Sequence, residues 1–246
     1  LGNGPLQLLG FRAVPVNDDA IPASARDARP KAIEQAVFLV HGDAAAAENA
    51  LFRQRLELRQ RLADAGLDVY VAGVSARLVG YKGLLTSPQF VDFYPDVSNP
   101  AFESGIVTFH RRYSTNTFPN WKLAQPFRLS CHNGEINTVR TNRNAVQAFS
   151  RGLTPPLPGG ELLTPKMSDS ASLDEWLEYL VREKGWSLLR AMRLAVPPVW
   201  DSEADYWGRD VVDLFTYCRR TYGSLCAWDG PAGLVGTDGR YMIGQV

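Results

Sequence analysis

Residues 130–144 read SCHNGEINTVRTNRN, a stretch that holds a thiol, an imidazole, an amide beside a glycine, a carboxylate and two arginines. Little of it can pack into a core, which marks either a loop beside chemistry or a solvated turn. Asn133 and Gly134 can supply two convergent donors, the Asn side-chain amide and the Gly backbone N–H, because glycine permits positive φ and close approach of the backbone to a ligand. Two such donors form an oxyanion hole, which stabilises charge developing on a carbonyl oxygen. The plainer alternative is an Asn-Gly hairpin turn, and on these residues alone the turn is the default. Cys131 and His132 suggest a dyad, but neighbours on an extended strand point apart, so Cys131 reads as a small buried filler.

Three further pieces carry similar chemistry: FHRRYSTNTFP at 109–119, SDSASLD at 168–174 and WDGPAGLVGTDGR at 228–240. Arg111 and Arg112 fall on an expected strand, so only one of them can face a given site. An arginine there can clamp a carboxylate through two parallel hydrogen bonds, or form a surface ion pair of little energetic weight. Asp169, at an expected helix start, can hold a ligand ammonium or act as an N-cap and dipole partner. A carboxylate clamp, an ammonium acceptor and an oxyanion hole together match an α-amino acid with a reactive side-chain carbonyl. The matching reaction is acyl transfer or amide hydrolysis. Cys218 and Cys226, the other two cysteines, have no histidine nearby in sequence.

These pieces need elements to position them. Residues 1–30, rich in Gly, Pro, Asp and Ala, read as an irregular lead-in. AVFLV at 36–40 reads as a short buried strand. The stretch 48–66 is the clearest helix, with Leu51, Leu58, Leu62 and Ala65 on one face, Gly66 as its stop, and Arg53, Arg55, Arg59 and Arg61 as a solvated face. Strands are expected at 67–76, 77–85, 105–114 and 126–134. A Pro/Gly-rich separator follows at 152–165. Helices are expected at 170–185, opened by a Ser172/Glu175 capping box, at 187–195, closed by Pro197 and Pro198, and at 211–223. The stretch 232–246 reads as a hairpin turning at Asp238-Gly239. Strands and helices come in blocks, which argues for α+β layers.

Composition narrows the function classes. The chain has 246 residues, 45% of them hydrophobic and 21% charged, enough to bury a core. Lys+Arg and Asp+Glu both total 26, so net charge gives no drive toward nucleic acid or a membrane surface. No apolar run approaches the roughly 20 residues of a membrane-spanning helix, and Leu1 to Gly10 carries no basic start of a secretory leader. Three cysteines, an odd number without metal-type spacing, point to a reducing, cytoplasmic setting. His41, His110 and His132 are scattered and form no zinc signature. A first residue that is not Met, and a last stretch, TDGRYMIGQV, that stops within a strand pattern, read as a segment of a longer chain.

FHRRYSTNTFPNWKLAQPFRLSCHNGEINTVRTNRN, MSDSASLDEWLEYLV and WDGPAGLVGTDGR strongly resemble the glutaminase domain of the glutamate synthase large chain, a class II glutamine amidotransferase. The resemblance runs in order from LLGFRAVPV at 8–16 through YKGLL at 81–85 to the end. It implies one amidotransferase domain over 1–246, of α+β class. The implied architecture is the N-terminal-nucleophile αββα four-layer sandwich, incomplete at its N-terminus. It also implies hydrolysis of glutamine to glutamate and ammonia, with the ammonia passed to a synthase site. By position, Arg112 matches the arginine that binds the substrate α-carboxylate, Thr115 and Asn116 line the pocket, Asn133 and Gly134 form the oxyanion hole, and Asp169 accepts the α-amino group. The family nucleophile is an N-terminal cysteine whose own amine, with a pKa near ~8, takes the thiol proton. This chain begins at Leu1, so that cysteine is expected upstream.

Flavin mononucleotide and an iron–sulfur cluster are implied for the parent chain, with no cofactor in this segment. The implied partners are glutamine or glutamate, synthase domains of the same parent and a small NAD(P)H-oxidising subunit, with neither nucleic acid nor membrane. A second reading is a catalytically inactive module that keeps the amino-acid pocket. A nucleic-acid module built on Arg111, Arg112, Arg128, Arg140 and Arg143 is opposed by the zero net charge.

Overall fold

The computed structural model describes residues 5–113, 118–197 and 207–246. Helices α1 (Ala23–Ala28), α2 (Ala44–Asp64), α3 (Ser87–Phe93), α4 (Val139–Arg151), α5 (Asp169–Glu178), α6 (Leu188–Ala195) and α7 (Arg209–Tyr222) accompany strands β1 (Leu6–Ala13), β2 (Glu34–Val40), β3 (Ser130–Gly134), β4 (Ala232–Thr237) and β5 (Met242–Gln245). The strands form two small antiparallel sheets, β1-β2 and β3-β4-β5. The architecture is mixed α and β, as the block pattern implies.

β1 lies inside the stretch expected to be irregular. It forms because residues 6–13 pair with residues 34–40, a partner that local composition cannot reveal. The resulting ribbon is not buried: Leu9, Phe11, Val37 and Leu39 stay exposed, contrary to the reading of 36–40 as a core strand. The expected strands at 67–76, 77–85 and 105–114 are not ladder strands among the described residues, and residue 114 lies outside them. A strand is completed by cross-strand hydrogen bonds, and these apolar segments pair with no described strand. The 126–134 strand is shorter than expected and begins at Ser130.

α2 starts at Asp43, whose carboxylate accepts the Ala45 and Ala46 backbone N–H groups. Its buried face is Ala47, Leu51, Phe52, Arg55 and Leu56, while Leu58 is exposed, because the C-terminal half of the helix runs off the core. The arginine face is corrected as well. Arg55 is buried and Arg59 partly so, and only Arg61 is largely solvated. α5 starts at Ser168, whose hydroxyl accepts the Ala171 N–H, and not through a Ser172/Glu175 box. Ser172 instead donates back to the Ser168 carbonyl, and the Glu175 carboxylate accepts the Thr164 N–H and hydroxyl. α5 continues as a wider π turn over Tyr179–Glu183. α6, α7 and the 232–246 hairpin fall where the pattern places them.

The main core gathers Phe52 and Leu56 of α2, Val146 of α4, Leu173, Trp176 and Leu177 of α5, Leu188 and Met192 of α6, and Leu234 of β4. Trp176 and Tyr179 stack with centroids 5.5 Å apart. A second cluster, Val14, Ile21, Phe93, Tyr94 and Trp121, anchors the loops that lead into β3.

Candidate functional site

β3 is held at its base by one carboxylate. Asp174 of α5 is fully buried and accepts the backbone N–H groups of Arg128, Leu129 and Ser130 at 2.9–3.0 Å, together with the Ser130 hydroxyl. The Arg128 guanidinium lies 3.5 Å from the same carboxylate, 3.7 Å from Glu175 and 3.6 Å from Glu178. Glu178 is bound by Arg55 at 2.5 Å and by Arg182 at 3.5 Å, and Arg182 reaches Glu48 at 3.1 Å. Burial pushes the Glu178 carboxyl up, but Arg55, Arg128 and Arg182 outweigh burial and hold it below its ordinary range. Burial alone would lower Arg128; Glu178, Tyr70, Glu175 and Asp174 raise it instead. Buried charges persist only when paired in this way. Asp174, Glu178 and Arg182 sit at i, i+4 and i+8, one stripe of α5 and its π turn. That spacing is the sequence signal of the network, hidden because charged residues read as solvent-facing.

The far end of β3 carries Asn133 and Gly134. The hairpin-turn reading of this pair fails: β3 pairs with β4, with His132 opposite Leu234 and Gly134 opposite Ala232, and the chain does not fold back at Asn-Gly. Gly134 has φ +108, and a Cβ there would sit 2.0 Å from the Pro231 carbonyl oxygen. Gly230 mirrors it, with a Cβ position 1.9 Å from the Glu135 carbonyl oxygen. Glu135 and Asn137 donate their N–H groups to the carbonyls of Pro231 and Asp229. Two of the motifs, HNGEIN and WDGPAG, therefore meet backbone to backbone, a closeness only glycine allows. Thr138 braces the junction, donating its hydroxyl to the Ala227 carbonyl and accepting the Asp229 N–H.

The third motif meets the same end. Asp169 opens α5; one carboxylate oxygen accepts the Ile136 N–H at 3.2 Å and the other the Ser170 N–H at 2.7 Å. Asp169 is thus neither the N-cap, which is Ser168, nor a free solvent charge. Its side chain is 29% exposed, so a ligand can still reach it. Arg143 of α4 staples this helix start by donating to the Ser172 hydroxyl and the Met167 carbonyl.

His132, set aside above as half of a dyad, is buried, and its Nε2 lies 3.8 Å from the Asp169 carboxylate. Burial lowers its pKa, Asp169 and the Gly134 backbone oppose the shift, and His110 adds to it. Arg112, two residues further on, is exposed and finds no ion pair or hydrogen bond among the described residues. Thr115 and Asn116 lie outside the described residues. Cys131 is buried, and burial followed by Asp174 raises its thiol pKa. Cys226 is likewise buried, and its thiol is pushed up to about 12. Reactive cysteines show the opposite shift.

A separate cleft of about 300 Å³ lies beside the ion network, lined by Arg55, Arg59, Tyr70, Lys122, Arg128 and Met167 among others. None of Arg112, Asn133, Gly134 or Asp169 lines it. Its walls are cationic and structural, and Asn133, Gly134 and Asp169 lie instead at the far end of β3. Among the described residues no group of three His, Cys, Asp or Glu is placed to hold a metal ion, and no helix is long and apolar enough to cross a membrane.

A family model described as glutamine amidotransferases class-II matches residues 2–246. The chain is similar to the glutamate synthase [NADPH] large chain of Azospirillum brasilense, 36% identical over 249 residues, 96% of this chain and 16% of that one. It is 38% identical over 248 residues to ferredoxin-dependent glutamate synthase 2 of Synechocystis, again 96% of this chain and 15% of that one. Glutamate synthase [NADH] of Saccharomyces cerevisiae is 34% identical over 247 residues, 11% of its length. The chain thus spans about a sixth or less of the length of these relatives.

Proposed function

This chain belongs to the class II glutamine amidotransferases, homologous to the amidotransferase region of glutamate synthase large chains, and on that premise we propose that it binds glutamine at the end of β3. The observation that carries the reading is the junction itself: Asp169 accepts the Ile136 N–H two residues past Gly134, whose positive φ seats HNGEIN against WDGPAG. In this reading Asp169 holds the substrate α-ammonium, and the Asn133 amide with the Gly134 N–H stabilises the oxyanion formed on the side-chain carbonyl. Arg112, whose guanidinium meets no described partner, clamps the α-carboxylate, and Thr115 and Asn116 line the pocket.

The three thiols of this chain are buried with their pKa values raised. The attack on the amide is therefore assigned to none of them but to a cysteine upstream of Leu1. The domain extends over 1–246 in the N-terminal-nucleophile fold of this family, with the four-layer αββα sandwich as its full architecture. Ammonia passes to synthase domains of the same parent in the cytoplasm. There flavin mononucleotide, an iron–sulfur cluster and a small NAD(P)H-oxidising subunit supply electrons. The three cysteines are buried and belong to no group placed to hold a metal ion among the described residues, so the cluster is assigned to another part of the parent.

Isothermal titration of L-glutamine into the protein tests the reading, alongside ammonia release by the full-length parent. Asp169→Ala should weaken binding by about 2–5 kcal/mol, because a desolvated ammonium loses its partner. Absence of glutamine binding, or an unchanged affinity in Asp169→Ala, overturns it. Binding without ammonia release would instead identify an inactive pocket module.

A further inference from the structure

We infer that the cleft beside the ion network is a binding site for a small organic dianion, two acidic groups on a short carbon skeleton, separate from the end of β3. Arg55, Arg59, Lys122, Arg128 and Lys166 line it, and among the described residues no Asp or Glu does. Its volume of about 300 Å³ lies at the lower end of small-molecule sites. Regular elements hold the cations. Arg55 and Arg59 stand one turn apart on α2, and Arg128 leads into β3. Arg59 ties down the rim by donating to the Leu162 carbonyl and the Thr164 hydroxyl, both at 3.0 Å.

The guanidinium groups are balanced in charge but not saturated with acceptors. Arg55, Arg59 and Arg128 meet Asp174, Glu175 and Glu178 behind the cleft wall. Yet Arg55 spends one side-chain hydrogen bond, on Glu178, and Arg128 one, on Asp174 at 3.5 Å. A guanidinium has five N–H groups to place. The remaining carboxylate contacts of these two arginines, at 3.6–4.0 Å, are ion pairs without hydrogen bonds. Buried donors are otherwise satisfied, and the open space beside these two is the cleft. Burial, with Arg128 adding to it, holds Arg55 and Arg59 below the ordinary guanidinium range even beside Glu175 and Glu178, so positive potential remains unspent there.

Two lysines stand further out. Lys122 is 41% exposed and shares its charge with Asp68, whereas Lys166 is exposed and has no ion pair among the described residues. Lys166 is also the one non-glycine residue among those described with positive φ, at 58°, a conformation that strains lysine and suits glycine. Buried guanidiniums and exposed ammoniums in one cleft call for two acidic groups, and Val69, Val71, Leu123 and Met167 offer a carbon skeleton apolar contact. A guanidinium fork fits a carboxylate and a phosphate alike, so both chemistries belong to the class.

The test is calorimetric titration of glutarate, a dicarboxylate, and of glycerol 3-phosphate, a phosphomonoester, with acetate and glutaramide as monoanionic and neutral controls. A dissociation constant below about 1 mM for either dianion, with both controls at least about tenfold weaker, supports the proposal, and the tighter dianion names the acid. Dianions that bind no better than acetate, or not at all, overturn it. Backbone NMR localises the event: the dianion must shift the amides of residues 69–71, 122–123 and 164–167, and glutamine must not. Dianion shifts confined to residues 133–137 mean binding at the end of β3 and overturn the proposal. The glutamine reading stands or falls separately, because none of its residues lines the cleft. Lys166→Gly divides recognition from structure. Relief of the positive φ raises the melting temperature, while loss of the ammonium weakens the dianion by about fivefold, the upper range for an exposed charge pair. Lost affinity together with a lower melting temperature means a structural role and overturns the assignment, as does unchanged affinity when Lys166→Gly is combined with Lys122→Ala.

Discussion

Replacing Asp174 by Asn removes one negative charge from the centre of the buried ion network and reverses the polarity of one atom. In the better of the two amide orientations, the retained oxygen still accepts from Leu129 and Ser130, but the new NH₂ faces the Arg128 N–H at 3.0 Å and its guanidinium at 3.5 Å. An orphaned buried N–H costs about 1–3 kcal/mol. Stripping one carboxylate from a buried ion cluster costs about 3–5 kcal/mol. These descriptions overlap, so the expected loss is about 3–5 kcal/mol and not their sum. Urea unfolding followed by tryptophan fluorescence measures it, since Trp176 and Trp228 are buried in the same core. Hydrogen exchange locates it: the amides of residues 128–130 should lose protection ahead of α4 and α6. Glu57→Gln provides the contrast, because the Arg61–Glu57 pair is an exposed i, i+4 bridge worth about 0.5 kcal/mol or less. A loss below about 1 kcal/mol in Asp174→Asn, or unchanged protection at 128–130, would refute the claim that this carboxylate anchors β3.

Lys82 is partly buried, donates to the Lys122 carbonyl, and has its pKa lowered to about 7 by desolvation and by Arg128. Its unfolded value is about 10.4, so between those values the unfolded chain holds the extra proton and stability rises with pH. Lys82→Met should remove that rise, stabilising the protein by up to about 4 kcal/mol more at pH 6 than near pH 10; parallel stability–pH curves for the two proteins would contradict this. Gly134→Ala and Gly230→Ala should each cost at least about 3 kcal/mol, from backbone overlap added to an unfavourable φ. Gly233→Ala, where a Cβ meets nothing within 4 Å, should cost about 1 kcal/mol or less, and thermal melts that rank the three alike would dismiss the junction. In the full-length parent, Asn133→Ala should lower kcat by roughly 10²–10³ with KM nearly constant; a normal kcat would return Asn133 to a purely structural position.

What could be read directly from residue order was what local chemistry decides. α6, α7 and the 232–246 hairpin depend on caps, helical period and an Asp-Gly turn, and each lies where those signals put it. The failures share one physical origin, pairing between distant segments. Residues 6–13 become a strand because 34–40 lie beside them, while 67–85, with the better strand pattern, meet no described ladder. Arg55 sits between Phe52 and Leu56 on the apolar side of α2, where periodicity alone places it. A solvated position is the local expectation, because the carboxylate that makes its burial tolerable, Glu178, is 123 residues away. Asn133-Gly134 looked like a turn for the same reason, since the β4 strand that holds it open lies about a hundred positions on. The motifs are legible as chemistry, and Asp169 and Gly134 lie at one junction, but the neighbour of His132 in sequence, Cys131, says nothing of the Asp169 carboxylate that lies 3.8 Å from its ring. On a strand the informative partner of a side chain is across the sheet or on the next layer, never the adjacent residue. The same rule would have paired the buried charges: a stripe of Asp174, Glu178 and Arg182 on a helix without a solvent face demands opposite charges from elsewhere, and the arginines of α2 and the Arg128 before β3 are where the chain keeps them.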